Sequence, residues 1–286
     1  MKREATTVGH VNAMSVDVED YFQVSAFENH IDRSDWSSLS CRIDNNMEKV
    51  LYLLDDKQIN ATFFVLGWIA ERFPGIIRDI VRAGHELASH GYDHKRVTEL
   101  DKKAFAEDVS RTKNILEDLS GVAVLGYRAP SYSINRSNLW ALDTLAETGH
   151  KYSSSIYPIK HDLYGMPDAP RFPFNHDRTG LLEIPVSTVK LFAKHLPCGG
   201  GGYFRLAPYW LSKKAIQRVN KYDNQSTIFY FHPWEIDPEQ PRQRVPTKTR
   251  FRHYVNLGRM ERKLSALFDD FRWDRVDKVY QEQLNQ

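Results

Sequence analysis

A chain of 286 residues, 41% hydrophobic and 27% charged, carries enough apolar surface for a buried core and is too apolar to stay disordered. A formal net charge of +2 gives no electrostatic basis for a nucleic-acid partner, and the Arg242-Gln243-Arg244 run reads as a solvated loop. Cys41 and Cys198 are the only cysteines and form no Cys-x-x-Cys pattern, so neither a disulfide framework nor a thiolate metal site is expected.

The first element is an apolar strand over residues 11–18 that runs into Asp17-Val18-Glu19-Asp20. Acidic residues at the C-terminal end of a buried strand sit where α/β sheets gather their chemistry. Asp17 and Glu19 are two apart and share a face of an extended chain, so one can ligate a metal while the other takes a proton. A helix follows over residues 47–55, then a strand over 61–66. The next helix, 74–83, opens on Pro74 and stops at Gly84.

The strand at residues 86–89 leads into His90-Gly91-Tyr92-Asp93-His94. Two imidazoles four apart reach one ion if the segment turns helically. Zinc takes such nitrogens, and a hydrolytic site keeps one position open. Helices are expected at 101–119 and 138–148, each stopped by a glycine, with a strand at 125–128 between them. That strand ends in Arg128-Ala129-Pro130; the proline biases Ala129 toward extended geometry, and Arg128 is placed to hold a carboxylate bidentately. Residues 160–206, interrupted by prolines and ending near Gly199 to Gly202, read as a loop over a cleft, with a strand at 182–186 inside it. The strand at 227–231 ends in His232, a candidate general acid, followed by Pro233-Trp234-Glu235. An amphipathic helix is expected over 252–267, with Tyr254, Leu257, Met260, Leu264 and Leu267 on its apolar side. Alternating strands and helices argue for a parallel sheet with crossover helices, an α/β fold.

In this order the motifs resemble those of the polysaccharide deacetylase superfamily, whose core is called the NodB homology domain (carbohydrate esterase family 4). Ser15-Val16-Asp17-Val18-Glu19-Asp20 is similar to the family's first motif, His90 to His94 to its second, Tyr127-Arg128-Ala129-Pro130 to its third, and Phe229-Tyr230-Phe231-His232 to its last. Asp17 to Phe22, Gly199 to Leu206 and His232 to Pro238 resemble an exosortase-associated branch linked to exopolysaccharide loci. The resemblance implies a distorted, incomplete (β/α) barrel of the NodB type over residues 1–235. It also implies a family-specific C-terminal helical extension, residues 236–286, packed on it.

The resemblance further implies that Asp17 is the general base, oriented by Arg128, that His90 and His94 are metal ligands, and that His232 is the general acid. Glu19 is favoured as third ligand, and Asp20 stays open if the strand ends in a turn. Ser153 stands where a carboxylate partner for His232 is expected, so either another carboxylate substitutes or the acid step is weaker. A backbone N–H near Tyr132, after Pro130, is the expected oxyanion donor; Trp234, Tyr203, Phe204 and Trp210 offer flat faces for sugar rings. The implied cofactor is one divalent ion, zinc first, with cobalt, nickel or manganese compatible with the same donors. The expected activity is removal of N-acetyl groups, with release of acetate, from amino sugars of an exopolysaccharide or its lipid-linked precursor. Two alternatives stand beside it, a silent carbohydrate-binding relative and a hydrolase of another amide. No segment reaches the roughly 20 apolar residues of a spanning helix, and the first 25 residues lack the pattern of a signal peptide. The expected location is the cytoplasm or its membrane face.

Overall fold

The computed structural model describes residues 9–161, 164–192 and 194–285. Its strands are β1 (Val11–Val18), β2 (Thr62–Val65), β3 (Glu86–Ser89), β4 (Gly126–Tyr127), β5 (Tyr152–Ser153), β6 (Phe174–Asn175), β7 (Leu182–Glu183), β8 (Thr188–Leu191), β9 (Lys194–Pro197), β10 (Ile228–Phe231) and β11 (Arg272–Asp274). The helices are α1 (Ile43–Asp56), α2 (Gly67–Arg72), α3 (Pro74–Arg82), α4 (Lys102–Ser120), α5 (Trp140–Glu147), α6 (Gly201–Leu206), α7 (Tyr209–Arg218), α8 (Thr247–Tyr254), α9 (Leu257–Asp270), α10 (Val276–Val279) and α11 (Gln281–Leu284).

One curled sheet runs β10-β1-β2-β3-β4-β5-β7-β6, with β11 pairing the first residues of β1. All its pairings are parallel except β6 with β7, which gives the parallel α/β sheet that the alternation anticipates, curled into the incomplete barrel that the resemblance implies. Strand periodicity sorts the side chains into two layers. Met14, Val16 and Val18 of β1 pack with Phe63, Val65, Leu87, Phe229 and Phe231 under the helices. The alternate residues point inward, where Ala13, Phe64, Ala88 and Tyr152 meet Val276 and Tyr280 from the C-terminal segment. Asp17, Arg128 and His232 continue that inner set toward the strand ends.

Several expected elements differ in detail. The strands at 125–128 and 182–186 shorten to two residues each, the second ending just before Pro185. Residues 160–206 hold β6 to β9 and α6 rather than a bare loop; residues 162, 163 and 193 of that stretch lie outside the described residues. α1 begins at Ile43, earlier than its apolar pattern suggests, because the Asp20 carboxylate accepts from the backbone N–H groups of Arg42 and Ile43 at its N-terminus. The expected tail helix is two helices, α8 and α9. The break falls at Asn256, in left-handed geometry, whose side-chain amide donates to the Arg205 carbonyl. Leu257, Met260, Leu264 and Leu267 are buried as the amphipathic pattern requires.

Candidate active site

Asp17, near the end of β1, and Glu19, just beyond it, reach the same cleft, as their spacing requires. Glu19 Oε1 lies 3.1 Å from His90 Nε2 and 3.0 Å from His94 Nε2. All three residues are buried, and their candidate ligand atoms lie within 4.8 Å of one another. The two histidines do not converge on a helix, as their spacing suggested. They converge through a loop with left-handed backbone at Gly91 and His94, held by Asp108, which accepts from Tyr92 N, and by Arg33, which donates to the Asp93 carbonyl.

The donor chemistry of this cluster fits a cation. His90 Nδ1 lies 2.8 Å from the Arg128 carbonyl, an acceptor, so Nδ1 carries a proton and Nε2 is the nitrogen that faces Glu19. A nitrogen facing a carboxylate oxygen at 3.1 Å is satisfied by a proton or by a metal ion. Burial opposes a charged carboxylate at Glu19, but His94, His232 and His90 outweigh it and hold the group well below the usual carboxylate range. Asp20, left open by the sequence as a ligand, is not in the cluster. Beyond the strand end its carboxylate turns away to cap α1 and accepts from Tyr21 N at 2.8 Å as well.

Arg128 is fully buried, its guanidinium 4.0 Å above the Phe64 ring. Its Nη1 donates to Asp17 Oδ1 at 2.5 Å and to Ser15 Oγ at 2.9 Å, while Nε and Nη2 donate to the carbonyl and hydroxyl of Ser154. The expected bidentate clamp is therefore a single contact, because Ser154 takes the other donors. The Tyr132 hydroxyl donates to Asp17 Oδ2 at 3.3 Å. Ser131 and Tyr132 both lie in left-handed backbone, uncommon for residues with side chains. The Tyr132 N–H, the expected oxyanion donor, is engaged with the Ala129 carbonyl at 3.0 Å in a tight turn. Pro130 is buried at that turn and does not line the cleft.

His232 faces the cluster, with Nε2 4.0 Å from Asp17 Oδ2 and 3.9 Å from Glu19 Oε1. Its Nδ1 lies 3.1 Å from Glu235 Oε2, which also accepts from the His232 backbone N–H at 3.0 Å. Arg205 Nε donates to the other Glu235 oxygen at 2.6 Å, and its Nη atoms reach the carbonyls of Arg252, His253 and Val255. Burial opposes a charged His232, but Glu19, Glu235 and Asp17 outweigh it and push its pKa up to about 9. Trp234 stacks on His232 and on His253. At 4% exposure it forms the cleft wall and offers no open face for a sugar ring; Phe204 is buried too, while Tyr203 lines a separate groove and Trp210 is exposed. The cleft holds about 210 Å³, and its rim includes Ser25, Tyr164 and Gly202.

Residues 35–152 match the family model described as polysaccharide deacetylase, and residues 154–281 match one described as a domain of unknown function, DUF3473. A peptidoglycan-N-acetylglucosamine deacetylase from Bacillus cereus is 33% identical over 96 residues, 33% of this chain and 35% of that protein. Over residues 35–152 the chain is similar to the polysaccharide deacetylases. A peptidoglycan deacetylase from Helicobacter pylori is 32% identical over 108 residues, 38% of this chain and 36% of that protein, so the chain spans about a third of the length of the curated relatives it matches. A crystal structure from Mycobacterium smegmatis assigned to the polysaccharide deacetylases shares the fold, with a TM-score of 0.62 at 19% identity over 99% of this chain and 93% of that one.

The polysaccharide deacetylase match contains His90, His94 and Arg128; Asp17 and Glu19 precede it, and His232 lies in the DUF3473 match. Two site residues escaped the sequence reading, Glu235 and Arg205. Glu235 carried a usable signal, a carboxylate three residues after the candidate acid with a proline between them. Arg205 lay in the Gly199 to Leu206 segment that carries part of the resemblance, but its pairing with Glu235 across 30 residues of chain had no local signal.

Proposed function

We propose that this chain is a metal-dependent hydrolase that removes N-acetyl groups from amino sugars of an exopolysaccharide or its lipid-linked precursor, releasing acetate. The observation that carries this reading is the buried Glu19, His90 and His94 donor set with Asp17 and His232 turned into the same cleft. Glu19, His90 and His94 would hold the ion, with zinc the first candidate. A divalent ion there acidifies water and polarises a carbonyl oxygen.

The remaining chemistry belongs to the chain's own residues. Arg128 and the Tyr132 hydroxyl fix the Asp17 carboxylate so that it accepts a proton from the attacking water. His232 Nε2 gives its proton to the departing nitrogen, which leaves as a free amine while the acyl group leaves as acetate. Glu235 fills the place that Ser153 leaves empty. It accepts from Nδ1, so the proton that moves is the one on Nε2, and Arg205 keeps that carboxylate charged. Ser153 itself is buried and donates to Ser155 Oγ. The extension, residues 236–286, belongs to the same working unit, since β11 pairs with β1. The exopolysaccharide assignment follows from the similarity of the Gly199 to Leu206 and His232 to Pro238 segments to the exosortase-associated branch.

The test is acetate release, with zinc added, from N-acetylglucosamine oligomers, crude exopolysaccharide and peptidoglycan. The intact protein is expected to release acetate. Asp17→Asn and His94→Ala should each lower the rate at least roughly 100-fold. Stoichiometric zinc that survives dialysis, with no acetate from any of the three, would overturn the reading in favour of a carbohydrate-binding protein.

A further inference from the structure

Among the described residues, seven of the twelve exposed large hydrophobic side chains lie between Leu191 and Leu211. They come from three neighbouring elements, the β8–β9 hairpin, α6 and α7, which together line one groove of about 440 Å³. Phe192 at the hairpin turn is 90% exposed, Trp210 55% and Leu206 54%. Monomeric proteins rarely expose large side chains in one contiguous patch without a partner for it.

Charge identifies the partner. From Ile184 to Tyr222 the sequence has no Asp or Glu, in a chain that holds 37 of them. The same stretch carries Lys190, Lys194, Lys214, Arg218 and Lys221, all exposed and none in an ion pair with a described residue. The Lys214 ammonium lies over the Trp210 ring and the Arg218 guanidinium over that of Tyr222. Exposed Trp, Phe and Leu fringed by cations, on a stretch without acids of its own and with the neighbouring Asp270 paired to Lys213, is the composition of a surface that lies in the headgroup region of an anionic bilayer. A neutral protein partner explains the apolar residues but not the missing acids. No helix among the described residues is long and apolar enough to cross a membrane, so the contact is peripheral.

We infer that the face formed by the β8–β9 hairpin, α6 and α7 docks on an anionic lipid bilayer, with Phe192 and Trp210 entering the interface. The face adjoins the catalytic cleft, because α6 exposes Tyr203 and Leu206 to the groove while Gly202 and Arg205 line the cleft. A glycan carried on a lipid in that bilayer is thereby brought to the cleft mouth. The docking surface stands on its own residues and does not depend on the deacetylase reading.

The test is co-sedimentation of the full chain with vesicles of phosphatidylcholine alone or mixed with phosphatidylglycerol. Binding is expected to the anionic vesicles, to weaken as salt is raised, and to be slight on phosphatidylcholine alone. Phe192→Ser should lower partitioning roughly ten-fold, and Lys190→Ser with Lys194→Ser roughly five-fold per cation. These side chains are exposed, so the thermal midpoint of each variant should match that of the intact chain. No binding to either vesicle would overturn the inference, as would a stable dimer in solution that Phe192→Ser dissociates, since the patch would then be a contact between copies. Acetate release measured alongside separates the two readings: vesicle binding without turnover sinks the hydrolase and leaves the surface.

Discussion

At the residue scale, Glu19 and Asp20 carry the same functional group and point in opposite directions. β1 ends at Val18 with Asp17 on its inner face, and the next residues decide which carboxylate follows it. Glu19 does, meeting His90 and His94; Asp20 swings outward to the α1 N-terminus. Substitution should separate the two. Glu19→Gln replaces an anionic donor and should abolish stoichiometric zinc after dialysis. Asp20→Asn should keep one zinc per chain and cost about 1 kcal/mol through loss of the cap. Atomic absorption and urea unfolding read the two effects, and zinc loss in the Asp20 variant alone would reverse the assignment. Asp17, His90, His94, Arg128 and His232 were legible because each sits in a short motif at a strand end. The resemblance favoured Glu19 but left Asp20 open, since the choice depends on the single residue at which the strand stops.

At the element scale, four successive glycines look like a flexible tract and prove to be a close-fitting one. Gly200 adopts φ +120° and bridges to Tyr230, and Gly199 accepts from Tyr230 N at 2.7 Å. A Cβ at Gly200 would collide with the Tyr230 carbonyl, whereas one at Gly202 meets nothing closer than Arg205 Nη2 at 3.8 Å. The segment lies directly on β10, two residues before His232, and sets the start of α6 so that Arg205 reaches Glu235. Gly200→Ala should therefore cost about 1–3 kcal/mol and reduce activity. Gly202→Ala, inside α6, should be neutral or gain up to about 1 kcal/mol. Thermal unfolding of the pair decides; equal tolerance at both positions would remove the packing argument. The glycines were visible in the sequence, but the strand they lie on is not a local property of it.

At the scale of the whole molecule, the first strand and the C-terminal segment from β11 to α10 are locked together behind the site. β11 pairs with β1, and α10 places Val276 and nearby Tyr280 against Ala13, Phe64 and Tyr152 in the barrel interior. The amphipathic pattern announced α9, but nothing periodic announced β11 or the plug. The joint is polar as well as apolar. Glu86 of β3, read from the sequence as an ordinary strand residue, accepts from the Thr62 and Tyr152 hydroxyls and from Asp277 N, while Thr62 Oγ1 accepts from Val276 N. Burial, with the nearby Asp277 charge, outweighs those donors and pushes the Glu86 carboxyl up to about 7. The native state thus holds this proton more tightly than the unfolded chain, whose value is 4.5. Its stabilising contribution is fully present below about pH 4.5, falls as pH rises through 7, and is constant above that. A shift of that size is worth about 3 kcal/mol at most. Because burial pushes His85 and His150 down to about 4 and His253 down to about 3, which makes stability rise with pH over the same window, the decline is read as the difference between the intact chain and Glu86→Gln in urea unfolding. The intact chain should lose stability relative to this variant, uncharged throughout, between pH 4.5 and 7, and should be the less stable of the two at pH 8. A variant that loses stability equally at every pH would mean instead that Glu86 is ionised in the fold and acts as an ordinary acceptor for its three donors.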